Sequence, residues 1–124
     1  MTKDELKQRT KEFGLRIMNL VDALPRSMSG RAVGNQLVRS GTAVGANYRA
    51  ACRARSTAEF LSRMGIVEEE ADESGYWLEL IGDAALLKPR RIEPLMREAD
   101  ELTRIFAATI RTIKRTRKTT VKQR

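Results

Sequence analysis

Histidine is absent from the chain, and cysteine occurs once, as Cys52. Without histidine the commonest general base and the commonest metal ligand are missing. Ser-His and Cys-His nucleophiles and His-containing zinc sites are therefore not available within one chain. One cysteine forms no internal disulfide, which points to a reducing compartment, and the expected location is the cytoplasm. Aromatics make up only 5% of residues, too few to interleave with basic residues as a base-stacking surface does. No apolar run approaches the roughly 18 residues that span a bilayer. The opening MTKDELKQRTKEF mixes both signs of charge and does not read as a secretory signal. Prolines stand only at positions 25, 89 and 94, so long stretches run without a breaker.

What the chain does have is charge, unevenly placed. The formal net charge is +8. Residues 111–124 hold Arg111, Lys114, Arg115, Arg117, Lys118, Lys122 and Arg124 and no acid, while the body before them is nearly neutral. Within the body, residues 26–55 carry six bases and no acid, and residues 56–87 carry eight acids and one base. A positive block followed by a negative one suggests two elements that face each other.

Hydrophobic spacing is helical throughout. In 4–24, Leu6, Phe13, Ile17, Leu20, Val21 and Leu24 recur mostly at three, four and seven, and Pro25 ends the run. Ser29 or Gly30 is the expected cap of a second helix over 31–55. Its Val33, Leu37, Ser40, Val44, Tyr48 and Ala51 share one seam, and Gly34, Val38, Gly41, Gly45 and Cys52 share the next. Arg31, Asn35, Arg39, Thr42, Ala46, Arg49 and Arg53 form a third face. A third helix is expected over 57–87, opened by the capping-box pair Ser56 and Glu59 and stopped by Lys88-Pro89. Its core stripe is Phe60, Met64, Val67, Ala71, Leu78 and Ala85. A fourth spans 93–118, with Pro94 in its first turn and Leu95, Ala99, Leu102, Phe106, Ile110 and Ile113 inward. Residues 119–124 read as a basic disordered tail. The expected fold is all-α: a single domain over 1–118, an antiparallel up-down four-helix bundle.

Three features carry functional expectations. The glycines of SGTAVGANYRAACRARS, residues 40–56, do not make a phosphate loop, because the lysine and the preceding strand of that motif are missing. They read instead as small residues that let a neighbouring helix approach. The acids around EEEADE, residues 68–73, lack the Glu-x-x-His pairs of bundle metal sites and are expected to meet Arg39, Arg49, Arg53 and Arg55. No cofactor or metal is expected. On the third helix Ile66, Trp77 and Leu80 form a second apolar stripe with Tyr76 on its flank, more than one core needs, and read as a subunit interface. Cys52, on the small-residue seam, reads as a buried structural cysteine.

Residues 39–80, RSGTAVGANYRAACRARSTAEFLSRMGIVEEEADESGYWLEL, with LPRSMSGRAVGNQLVRS before them, resemble four-helix proteins related to the intervening-sequence proteins encoded inside some bacterial 23S ribosomal RNA genes. The resemblance covers about residues 6–110. It implies a short protomer that assembles into a ring-like homopentamer. It also implies similarity to the accessory variability protein of diversity-generating retroelements, which binds a reverse transcriptase and nucleic acid. No catalytic residue follows from it. The expected function is that of a non-enzymatic oligomer that binds nucleic acid, RNA before DNA, by charge and shape. The expected contacts are the seven bases of 111–124, joined by Arg49, Arg53 and Arg55 if the acids of the third helix do not take them up. The tail lacks the Trp, Phe or Leu that would insert into a membrane, so no membrane partner is expected. The competing expectation is a structural or adaptor ring that holds a protein partner and no nucleic acid.

Overall fold

A computed structural model describes residues 1–118 with their side chains. It consists of four helices, α1 (Lys3–Asp22), α2 (Met28–Cys52), α3 (Thr57–Asp83) and α4 (Pro89–Gln123), with no strand among the described residues. The tail expected at 119–124, which contains Lys122 and Arg124, lies outside those residues.

The helices run alternately up and down. Gly41 of α2 lies against Ile17 of α1, Gly34 against Val21 and Leu24, and Gly45 against Thr10, so residue numbers fall on one helix as they rise on the other. Ser40 and Ser74 fix the register of α2 on α3: their hydroxyl oxygens are 3.0 Å apart and fully buried, and Ser74 donates to the Glu70 carbonyl at 2.8 Å. Gly75 faces Ala99, and Gly82 faces Ile92, which sets α4 antiparallel to α3. α1 packs on α2, α2 on α3 and α3 on α4 along their lengths, whereas α1 meets α4 along a much thinner seam. Phe13, Ile17, Leu37, Val44, Met64, Leu78 and Phe106 are fully buried between them. No described helix is long and apolar enough to cross a membrane.

Local chemistry explains where the boundaries differ from those read in the sequence. α2 starts at Met28 rather than 31 because Ser27, not Ser29 or Gly30, is the cap; its hydroxyl accepts from the Gly30 N–H at 3.1 Å. Gly30 then sits in the first turn, where a Cβ would stand 2.2 Å from the Pro25 carbonyl oxygen. Ser56 caps α3 as expected, accepting from the Glu59 N–H at 3.0 Å. The reciprocal bond of a capping box is displaced by one residue: the Glu59 carboxylate accepts from the Arg55 N–H, also at 3.0 Å.

α3 stops at Asp83, well before Lys88-Pro89, in a Schellman closure. The Leu86 N–H reaches the Ile81 carbonyl and the Ala85 N–H that of Gly82, both at 3.0 Å. That closure holds Ala85 at φ 55, a left-handed conformation in which glycine is usual. Ala85 therefore belongs to the connection, not to the core stripe. Ala85→Gly is expected to stabilise the fold by about 1 kcal/mol, seen as a rise in denaturation midpoint at unchanged m-value. α4 begins at Pro89, so Pro94 lies inside the helix, not in its opening turn.

The glycines of α2 perform the role expected of them. A Cβ on Gly41 would lie 2.8 Å from two Ile17 carbons and 3.0 Å from its Cβ, so α1 rests directly on α2 backbone there. Gly41→Ala is expected to lower the melting temperature, because overpacking of about 1–3 kcal/mol outweighs the roughly 1 kcal/mol gained in helix propensity. Gly75→Ala, whose Cβ would meet Ala99 at an ordinary 3.8 Å, is the matched control and is expected to raise it.

Candidate nucleic-acid interface

The up-down order brings the C-terminal end of α2 and the C-terminal half of α4 to the same end of the bundle. Tyr48 of α2 and Phe106 of α4 mark the level, with ring centroids 6.0 Å apart. Counting outward at about 1.5 Å per residue, Arg53, the C-cap of α2, comes level with Arg111 on α4. Phe106 is the last fully buried residue of α4 among the described residues; Ile110 and Ile113 are only half-buried. From residue 107 to 118 most positions are therefore exposed, Arg111, Lys114, Arg115, Arg117 and Lys118 among them.

The structure divides the arginine face of α2. Arg39 turns to α3, where its guanidinium pairs with Glu70 at 3.2 Å and also with Glu73. Those two carboxylates hold its pKa above the ordinary arginine value. Arg49, Arg53 and Arg55 do not follow. They are exposed and form no side-chain ion pair among the described residues. The same holds for Arg111, Lys114, Arg117 and Lys118. The expectation that Arg49, Arg53 and Arg55 would answer the acids of α3 is thus corrected: only Arg39 is close enough. This end of the bundle is left with a set of cations whose side chains pair with no carboxylate among the described residues, and such cations can meet successive phosphates of a polyanion.

A second ionic contact escaped the sequence reading. Across the thin seam, Arg9 of α1 donates to both carboxylate oxygens of Glu98, Nε at 2.8 Å and Nη2 at 2.6 Å, with Glu101 at 3.1 Å. The hydrogen bonds to Glu98 outweigh the cost of partial burial and raise the guanidinium pKa. This two-pronged geometry ties α1 to α4. Arg9 lies among alternating charges on α1 with no spacing to mark it, so nothing in the sequence distinguished it. Cys52 is half-buried beside Tyr48 rather than fully buried. Burial first, then the neighbouring thiol, pushes the Tyr48 phenol above its usual value.

The four residues expected at a subunit interface divide as well. Ile66 and Tyr76 are exposed, whereas Trp77 and Leu80 are half-buried and Trp77 packs against the core. Tyr76 and Trp77 meet edge to face, 5.0 Å between centroids.

A family model, the 23S rRNA-intervening sequence protein, matches residues 2–108 of this architecture. The chain belongs to that family. The match ends at residue 108, within α4 and before Arg111. Among solved structures, the chain is similar to a protein of unknown function from the S23 ribosomal protein family of Bacteroides thetaiotaomicron VPI-5482. The two are 32% identical with a TM-score of 0.82, over 90% of this chain and 99% of that one. Among curated proteins there is no match.

Proposed function

We propose that this family member is a non-enzymatic, oligomeric RNA-binding or ribonucleoprotein accessory protein that acts in the cytoplasm. On this reading it recognises charge and shape rather than bases. The observation that carries it is the cationic end, unpaired among the described residues: Arg49 and Arg53 at the close of α2 and Arg55 just after it, with Arg111 level with Arg53 and Lys114, Arg117 and Lys118 following along α4. Arg115, Lys122 and Arg124 add to the same run in sequence. No aromatic stands among these cations, so the contacts are with phosphate and sugar, and sequence preference is weak. Assembly as a homopentamer would multiply the patch, raising avidity without any further contact.

Co-purification tests the reading. Protein isolated in low salt should carry nucleic acid that ribonuclease removes and deoxyribonuclease does not, and that is released as salt rises. Protein that carries no nucleic acid in low salt, and retains a protein partner in high salt after nuclease treatment, would instead be the adaptor ring. A reverse-transcriptase-type partner falls within the proposal if its retention depends on RNA.

A further inference from the structure

Two exposed surfaces of the protomer carry opposite charge beside exposed apolar side chains. The first is an open groove of about 620 Å³ between α1 and α2. Its floor is almost free of side-chain bulk because Gly14 and Gly45 lie along it. Leu15 and Met18 stand on its α1 wall at 56% and 47% exposure, although both are large and apolar. Its rim is basic, with Lys7, Lys11 and Arg49; the single acid, Asp4, is 4.0 Å from Lys7.

The second surface is the outer face of α3. At about 100° per residue, Gly65, Ile66, Glu69, Asp72 and Tyr76 fall within one arc turned away from the buried Met64, Val67 and Leu78. Ile66 and Tyr76 are exposed at 42% and 53%. Gly65 has no role within the protomer: a Cβ built on it meets nothing within 4 Å. A mid-helix glycine costs about 1 kcal/mol relative to alanine, and no packing inside the chain accounts for it. Close approach by another molecule would.

We propose that the outer face of α3 of one copy docks in the α1–α2 groove of the next. Ile66 and Tyr76 then cover Leu15 and Met18, and Glu69 and Asp72 lie along Lys7 and Lys11. This inference rests on the reading of the protein as a homo-oligomer and specifies the surfaces that join its copies. α3 is not a neighbour of α1 in the bundle, where α1 packs on α2 and α4, so groove and face point in different directions. The contact is therefore heterologous, and repetition with a constant turn closes a ring or runs on as a filament. Charge complementarity favours a second copy over an unrelated partner, since the acids that the basic rim needs are on the chain itself.

Sedimentation analysis of the full chain tests this. Lys7→Glu with Lys11→Glu should raise the concentration for half-dissociation at least tenfold, as should Glu69→Lys with Asp72→Lys. All four changes in one chain should restore the wild-type mass, and an equimolar mixture of the two double variants should re-associate into complexes containing both. Gly65→Leu, placed in open space of the protomer, should weaken assembly tenfold or more, while the dissociated protomer melts no lower than wild type in circular dichroism. A wild-type oligomer whose mass neither reversal alters would overturn the docking and leave the oligomer reading standing. A wild-type chain that stays a protomer at every concentration would overturn both.

Discussion

Replacing Arg111, Lys114, Arg117 and Lys118 together by glutamate is expected to weaken binding to a structured RNA about a thousandfold at 0.1 M salt. Each phosphate neutralised by a cation contributes roughly 0.7–0.9 to the slope of log affinity against log salt. Four lost contacts remove about three powers of ten between 0.1 M and 1 M, before the repulsion of the new acids is counted. The slope itself should fall by about three. Folding should be unaffected, because all four side chains are exposed and none is in an ion pair among the described residues; the melting temperature is the control. Affinity within twofold of wild type, on a folded variant, would remove α4 from the interface. Arg53→Glu with Arg55→Glu should act in the same direction with a smaller slope change, since only two contacts are lost.

The second large effect is on stability. Phe106→Ala should destabilise the protein by about 3–5 kcal/mol. Phe106 is fully buried, lies against the Tyr48 ring, and is the last fully buried residue of α4 among the described residues. No neighbour can refill the volume without moving α4, since the residues beyond it on the same stripe are only half-buried. A melting-temperature loss of more than about 10 °C is the expected readout. The variant should still bind RNA at low temperature wherever it remains folded, because its cations are unchanged. Loss of binding with folding intact would mean that the level of α4 relative to α2, and not charge alone, sets affinity.

Much of the bundle was legible in the sequence because burial follows a helical period. Leu37, Ser40, Val44, Tyr48 and Ala51 are buried as their common seam required, and Gly34 and Gly41 face α1 as the adjacent seam required. The helix ends were less legible, because backbone hydrogen bonds decide them. The Schellman closure at Ala85 carries alanine where glycine would have announced it, and the Ser27 cap is hidden by two later candidates, Ser29 and Gly30. Charge partners were legible only in part. Opposite blocks correctly paired α2 with α3, but the blocks do not say which arginine lies near the acids. The level of each residue decides this: Arg39 meets Glu70 and Glu73, while Arg49 lies in the last turn of α2 and Arg53 and Arg55 beyond its last residue. Leu15 and Met18, three apart and off the α1 core stripe, were the one available signal of the groove.

The most direct test of the account is to crosslink the full chain to RNA by ultraviolet light and identify the crosslinked peptides by mass spectrometry. Crosslinks should concentrate in residues 49–55, at the end of α2 and just beyond it, and from Arg111 onward in α4, and should disappear as salt rises. Crosslinks confined to the acidic outer face of α3, or to the end of the bundle that carries the α1–α2 and α3–α4 connections, would contradict it.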